Sequence, residues 1–179
     1  ISGRMISLSN SRGRATYNSL IQLRDDLVPQ PELAEEFSAN SDATEWSFKL
    51  RKDVTFHDGS KLTADDVVYS MNRHYGDDST SVVKSLVSGV TEWKKVGPYE
   101  VKAIVDSPYS DLAAVLGEKQ FKIVKDGTTD FSLPTGTGPF KLESFQPGVR
   151  SSHVRNENYW REGANVDSME IFGITDPIA

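Results

Sequence analysis

The stretch Trp46–Arg73 constrains the fold more than any other part of the chain. It begins with apolar residues at every second position, which is typical of a strand buried on one face, and Glu45–Phe56 is therefore predicted to form a hairpin. Residues 57–60 (HDGS) have the composition of a tight turn. Thr63 then offers an N-cap with an acidic residue three positions later, which predicts a helix over Ala64–Tyr75.

Further patterns predict the remaining elements. Apolar spacing favours a helix over Ala15–Leu23 and a short one over residues 111–117, and alternation favours a strand over residues 99–105. Four more strands are predicted at Phe121–Lys125, Phe140–Phe145, Arg150–Arg155 and Ser168–Ile174. A segment rich in glycine, threonine and proline at residues 126–137 predicts a boundary between subdomains.

Five segments carry a family resemblance, and they occur in a fixed order. They are LVPQPELAEEF at Leu27–Phe37, the stretch Trp46–Arg73, GTGPFKLESFQPG at Gly136–Gly148, RNENYW at Arg155–Trp160 and ITDPIA at Ile174–Ala179. Together they resemble the framework motifs of the bacterial family 5 extracytoplasmic solute-binding proteins, which serve ABC importers of peptides and nickel. The resemblance spans most of the chain.

The resemblance implies an α+β (mixed) fold, namely a periplasmic-binding-protein-II-like first lobe that is incomplete, with the second lobe absent. In that fold, residues 1–16 begin a main-sheet subdomain, residues 17–133 form a small α+β subdomain, and residues 134–179 return to the main sheet. Family members are about two to three times this length. Pro177 also fits the first turn of a helix, but only two residues follow it in this sequence. We therefore expect the chain to be a fragment of a longer protein.

The function implied by the resemblance is binding and delivery without catalysis. Such a protein captures a peptide or similar small solute outside the cytoplasm, in the periplasm or at the cell surface, and passes it to ABC transporter permease subunits. The resemblance implies export with a leader outside this chain, peripheral contact with the membrane and no cofactor. Peptide, nickel-chelate, sugar and opine binders share these motifs, so the ligand stays open.

Ligand contacts in the first lobe of the family come from three segments that carry no fixed motif. Rough alignment places them before the first helix, after the capped helix and before the glycine-rich crossover. The candidate contacts are Met5, Ile6, Ser7, Thr80, Ser81, Val82, Lys119 and Gln120. A solvated surface lysine is the alternative interpretation of Lys119.

Composition and spacing argue against several other functions. The net charge of -6, with no concentrated basic cluster, argues against a nucleic-acid partner. The chain has no cysteine, so thiol chemistry and thiolate metal sites are excluded. The three histidines do not pair at metal-ligand spacing, and no serine lies in a nucleophile-elbow context. No metal site and no catalytic residue are predicted.

Two motifs that resemble chemical sites have simpler structural interpretations. Asp65 and Asp66 are adjacent and point about 100° apart on a helix, so stabilisation of the helix start is favoured over a paired-carboxylate site. Residues 136–139 (GTGP) lack the lysine of a phosphate-binding loop, which favours close backbone packing. Trp46 is expected in the core, Trp160 is expected to pack within its turn, and Trp93 is ambiguous.

Two functions from other classes remain as alternatives. One is a self-standing protein-interaction domain that uses an exposed sheet edge. The other is a hydrolase, which would need a convergent acid–base pair in one cleft.

Overall fold

The structure is a computed structural model that describes residues 11–75, 79–132 and 134–173. Residues 11–16 are helical. The other elements, in chain order, are β1 (Ile21–Leu23), β2 (Pro29–Pro31), β3 (Ala34–Ala39), β4 (Glu45–Leu50), α1 (Ala64–Asn72), a 3-10 turn (Lys84–Val87), β5 (Val90–Gly97), β6 (Glu100–Val105), α2 (Leu112–Leu116), β7 (Phe140–Gln146), β8 (Arg150–Arg155) and β9 (Ser168–Phe172). The mixture of helices and antiparallel sheets confirms the predicted α+β class.

A four-stranded antiparallel sheet forms the centre of the described chain, in the order β3-β4-β6-β5. β4 lies inside the sheet, paired with β3 and β6, and its alternating apolar residues face the core, where Phe48 is fully buried. Trp46 and Trp93 flank this ring, with centroids 6.4 and 5.8 Å from it. Trp46 therefore lies in the core as predicted, and the ambiguous Trp93 lies there too.

The start of α1 is held by the buried carboxylate of Asp66. Its Oδ2 atom accepts hydrogen bonds from the Thr63 backbone N–H (2.7 Å) and hydroxyl (2.9 Å), and its Oδ1 atom accepts one from the Asp126 N–H (2.8 Å). Asp65 points elsewhere and pairs with Lys95 at the surface, 2.7 Å away. The interpretation of the two aspartates as helix-start residues is confirmed.

Replacing Asp66 with alanine is expected to lower the free energy of unfolding by about 2 kcal/mol, because three donors lose their acceptor in a buried position. Asp65→Ala is the matched control, and its exposed ion pair is worth less than about 1 kcal/mol. Urea unfolding of both variants measures the difference. Equal losses would contradict the buried role of Asp66.

A second antiparallel sheet, in the order β7-β8-β9, follows the glycine-rich segment. All three strands were predicted from alternation, and their observed bounds differ by no more than two residues at each end. β8 turns Ser151 and His153 inward, where each is 1% exposed, and the His153 Nε2 atom lies 3.1 Å from the Ser151 hydroxyl. The inward face of this sheet is therefore partly polar.

Three secondary-structure predictions were wrong. The helix over Ala15–Leu23 ends at residue 16, because the following backbone becomes extended and pairs Ile21–Leu23 with Pro29–Pro31. The hairpin over Glu45–Phe56 does not form, since β4 pairs with β3 and β6. Phe121–Lys125 forms only an isolated bridge, through Lys122. In the first two cases pairing with another segment overrides the local pattern, whereas Phe121–Lys125 has only a single bridge partner.

The outer strands of the four-stranded sheet carry features that discourage further pairing. β3 has a register shift between Ala34 and Glu36, and β5 has two shifts along its pairing with β6. Exposed charges lie on both strands, such as Glu36 on β3 and Lys94 on β5. Irregular, charged edges protect a sheet against adding a strand from another molecule. This disfavours the alternative of a domain that recruits partners through a sheet edge.

No helix in the described part of the chain is both long enough and apolar enough to cross a membrane.

Candidate functional site

The site begins with a buried amide, Asn18, which follows the first helical residues. Its Nδ2 group donates to Glu32 Oε1 (2.8 Å) and more weakly to the Tyr159 hydroxyl (3.4 Å). Its Oδ1 atom accepts from the Thr137 hydroxyl (3.0 Å) and from the Trp160 indole N–H (3.3 Å). Asn18 thus joins four segments that are far apart in the sequence.

Glu32 is the acidic partner in this network and is only 7% exposed. Besides the Asn18 amide, its carboxylate accepts the Ser19 backbone N–H at 2.9 Å. Backbone hydrogen bonds from residues 32–34 to Ser19 and Leu20 hold the two segments side by side. Both oxygens of Glu32 are therefore occupied by neutral donors, which fixes the carboxylate in place.

The glycine-rich crossover packs directly on the first segment. A Cβ atom on Gly136 would lie 1.9 Å from the Thr16 carbonyl oxygen, and one on Gly138 would lie 2.5 Å from the Ala15 carbonyl oxygen. Gly138 also donates its N–H to Thr16 O at 2.9 Å. The architectural interpretation of this motif is therefore confirmed.

His57 also binds the glycine-rich crossover. Its backbone N–H donates to the Gly136 carbonyl (2.8 Å), and its Nδ1 atom accepts the Gly136 N–H (3.3 Å). Its Nε2 atom lies 3.0 Å from the Gly138 carbonyl, which assigns the proton to Nε2. Burial lowers the pKa of His57, with the Gly138 carbonyl opposing this shift. The ring is a neutral structural group, as the sequence indicated.

A cleft of about 640 Å³ opens beside this network. Its wall includes Tyr17, Asn18, Glu32 and Tyr159 from the network and residues from β1 and from the segment after α2. Among the described residues, five cationic side chains also line it, and we call it the cationic cleft: Arg14, Arg24, Lys119, Lys122 and Arg161. The carboxylates on the same wall are Asp25, Glu32 and Glu118. The cleft therefore has a cationic excess in a chain whose net charge is -6.

Trp160 lies between two residues that line the cleft, Tyr159 and Arg161. Two guanidinium groups contact its ring, with Arg51 5.0 Å and Arg161 4.4 Å from the ring centroid. Arg161 also donates to Gln22 Oε1 and to the Pro31 carbonyl, both at 3.1 Å. Trp160 therefore packs in its turn, as predicted, and Arg161 links that turn to the hairpin formed by β1 and β2.

The candidate contacts named from the sequence fall in different places. Lys119 lines the cationic cleft, and Gln120 follows it with its Oε1 atom buried and without a hydrogen-bond partner among the described residues. Thr80, Ser81 and Val82 are not among the residues that line this cleft. Met5, Ile6 and Ser7 lie outside the described residues.

Within the Thr80–Val82 segment, one residue has a structural contact and its neighbour is exposed. The Ser81 hydroxyl lies 2.8 Å from Nδ1 of His74, whose ring packs edge-on against Phe121 at 4.9 Å between centroids. Val82 next to it is 86% exposed. Ser81 therefore has a structural partner, whereas Val82 faces solvent.

His74 predicts a pH dependence of stability. Burial, with a smaller effect of Arg73, lowers its pKa to about 4. The unfolded chain binds a proton on this ring near pH 6.5, so the free energy of unfolding falls as pH is lowered from 6.5 to 4. We expect a loss of about 1 to 2 kcal/mol from this residue, reduced by solvent around the partly exposed ring. Urea unfolding across this range should show a shallower pH slope for His74→Gln, and an unchanged slope would contradict it.

Sequence reasoning missed most of this site because its residues are dispersed. Asn18, Glu32 and Lys122 carry no motif, and each becomes informative only when β1 and β2 bring distant segments together. Within the described ranges, no group of three or more histidine, aspartate or glutamate side chains is arranged to hold a metal ion.

Comparison with known proteins gives a consistent result. The family model described as bacterial extracellular solute-binding proteins, family 5 Middle, matches residues 28–179. The dipeptide-binding protein of Escherichia coli K12 is 27% identical, over 89% of this chain and 35% of its own length. The glutathione-binding protein GsiB of Salmonella choleraesuis is 25% identical, over 95% of this chain and 35% of its own length.

A solved structure supports the fold. The crystal structure of NikA from Brucella suis in complex with Fe(III)-EDTA has a TM-score of 0.82 and 27% sequence identity, and the match covers 94% of this chain and 36% of that one. The fold is thus that of part of a periplasmic binding protein. The chain spans about a third of the length of the curated relatives that it matches.

Proposed function

Because the chain belongs to the bacterial extracellular solute-binding proteins of family 5, we propose that its protein captures a small solute outside the cytoplasm for an ABC importer. The family match over residues 28–179 is the observation that carries this proposal. Relatives are named for binding dipeptides, glutathione and nickel, and one similar structure is described as an ABC transporter-associated periplasmic binding protein. A peptide or a similar small solute is the ligand class that these names favour.

The cationic cleft supports this proposal. Its volume of about 640 Å³ lies within the range of pockets that bind small molecules. The surrounding network of Asn18, Glu32 and Trp160 makes the wall rigid, which limits the ordering cost of binding. Among the proposed ligand contacts, Lys119 is the one that this cleft supports.

The proposed cycle involves capture, closure and delivery. The solute enters a cleft whose other wall comes from parts of the protein outside this chain, and closure about a hinge shields it from water. The closed protein then docks on permease subunits in the membrane, which receive the solute. We also propose that residues 17–133 act as one subdomain and residues 134–179 as part of another. Export to the periplasm or the cell surface belongs to the same proposal.

Catalysis has no part in this cycle. Partial burial lowers the pKa of His57 and of His74, and the carboxylates of Asp66 and Glu32 accept backbone, hydroxyl and amide donors. We therefore propose that the bound solute is released unchanged.

Native mass spectrometry of the full-length protein, purified from its own cell envelope, tests the function. We expect a small molecule that stays bound in native buffer, is lost on denaturation, and keeps the same mass after prolonged incubation. Unfolding and refolding should give a ligand-free protein whose melting temperature rises when the solute is added back. A ligand-free native mass, with no thermal shift from dipeptides, glutathione or nickel–histidine complexes, would refute capture. A solute that is converted to product would support the hydrolase instead.

A further inference from the structure

The sequence contains two Asp-Gly dipeptides, Asp58–Gly59 and Asp126–Gly127. In such a pair the glycine amide nitrogen can attack the Cγ atom of the aspartate side chain, because glycine has no side chain that shields its nitrogen. A new N–Cγ bond closes a succinimide ring, and the carboxyl OH leaves with the amide proton as water. When solvent water then adds to the α-carbonyl carbon, the bond from that carbon to nitrogen breaks. The product is isoaspartate, in which the main chain runs through Cγ, and the mass is unchanged.

The two dipeptides are closely matched in their surroundings. Both lie in exposed turns, and both glycines have positive φ angles, 86° at Gly59 and 74° at Gly127. A Cβ atom built on either glycine would meet no atom within 4 Å. Exposure and crowding therefore do not distinguish the two sites, and any difference in reactivity must come from the aspartate side chains and the amide nitrogens.

The side chain of Asp58 is held as a carboxylate. Its Oδ1 atom accepts the Ser60 backbone N–H (3.0 Å) and hydroxyl (2.6 Å), and its Oδ2 atom accepts the Lys125 ammonium (2.6 Å). Burial raises the pKa of Asp58, but these hydrogen bonds outweigh it and lower the pKa to about 2. Ring closure expels water from a protonated carboxyl, so this ionised group reacts slowly. The Gly59 N–H also donates to the Phe56 carbonyl at 2.9 Å, which fixes the attacking nitrogen.

Asp126 lacks these restraints. Within residues 11–75, 79–132 and 134–173, its carboxylate forms no ion pair and accepts no hydrogen bond, since the neighbouring Lys125 is paired with Asp58 instead. Over the same ranges the Gly127 N–H donates to no backbone carbonyl. The carboxyl group is therefore free to rotate towards an amide nitrogen that is itself unbound.

We propose that Asp126 is a site of spontaneous isomerisation to isoaspartate, and that the hydrogen bonds of Asp58 protect the matched dipeptide Asp58–Gly59 from the same reaction. The inference does not depend on which solute the protein captures, or on whether it captures one.

The modification has a structural consequence, because the reactive bond lies between two contacts to α1. The Asp126 N–H donates to Asp66 Oδ1 (2.8 Å), and the Thr128 carbonyl accepts the Tyr69 hydroxyl (2.6 Å). Isoaspartate adds one carbon atom to the main chain between these two contacts, so both cannot keep their geometry. Isomerisation therefore loosens the attachment to α1 of the segment that begins the glycine-rich crossover.

Prolonged incubation of the full-length protein in mildly acidic buffer tests the inference. Isoaspartate is measured at each dipeptide by peptide mapping, with enzymatic methylation of isoaspartyl groups as the label. We expect at least about tenfold more label at Asp126 than at Asp58, because each unit of pKa changes the protonated fraction tenfold. Equal labelling of the two sites, or no label at Asp126, would overturn the proposal.

Two variants separate the chemistry from the protection. Asp126→Glu keeps an exposed carboxylate but requires a six-membered ring, so the label at this position should fall to background. Lys125→Gln combined with Ser60→Ala removes the side-chain donors of Asp58, and its label should rise about tenfold. An unchanged label at Asp58 in that variant would overturn the role of its hydrogen bonds.

Hydrogen exchange of the incubated protein tests the structural consequence. The residue-126 amide and the start of α1 should exchange faster in the isomerised wild-type chain than in Asp126→Glu incubated alongside it. Isoaspartate at Asp126 with unchanged exchange would refute the loosening of this segment.

Discussion

Replacing Gly136 with alanine is expected to lower the free energy of unfolding by about 3 kcal/mol or more. The added methyl group would lie 1.9 Å from the Thr16 carbonyl oxygen, well inside van der Waals contact. Neither side can move easily, because Thr16 O accepts the Gly138 N–H and His57 binds the Gly136 carbonyl. The substitution must therefore separate the crossover from the first segment. Urea unfolding measures the loss.

Gly163→Ala is the matched control for this experiment. No atom lies within 4 Å of a Cβ built on Gly163, so its change should stay within about 0.5 kcal/mol. Similar losses at the two glycines would show that the crossover is free to shift, and the tight packing described here would then be wrong.

The sequence predicted those elements whose patterns are local. The capping residues of α1 and the alternation of β7, β8 and β9 are visible within a few positions, and the structure has all of them. β3 and β5 were missed because their outward residues are charged and their register shifts break the alternation. Ile21–Leu23 was taken for helix because its strand pairing depends on Pro29–Pro31, which no local pattern reveals.

The site was harder to predict from the sequence than the fold, because its residues are not close together in the chain. Lys119 was named from a rough alignment and does line the cationic cleft. Arg14, Lys122 and Arg161 are separated by long stretches of sequence, and they look like isolated surface charges until the chain folds. A cationic cleft built from dispersed residues has no signature in sequence composition, particularly in a chain of net charge -6.

Replacing Glu32 with alanine is expected to be about as damaging as the change at Gly136, with a loss of about 3 kcal/mol. The variant leaves the Ser19 N–H without an acceptor and the Asn18 amide with only the weak contact to the Tyr159 hydroxyl, and both residues are buried. It also leaves Lys122 without its nearby negative charge. Since the Asn18 Oδ1 atom accepts a hydrogen bond from Trp160, the damage should spread to the turn that lines the cleft. Denaturant unfolding with tryptophan fluorescence as the signal measures the loss.

Two further variants decide whether the effect comes from this network. Glu36→Ala is the control, because Glu36 forms an ion pair with Lys49 at 2.6 Å in which the side chains are 65% and 58% exposed, and such a pair contributes less than about 1 kcal/mol. Asn18→Ala combined with Glu32→Ala should cost less than the sum of the single losses, because the hydrogen bond between the two residues is lost in both single variants. Strict additivity would mean that Glu32 acts independently of Asn18. The hydrogen bond between Asn18 and Glu32 would then not explain the rigidity of the cleft wall.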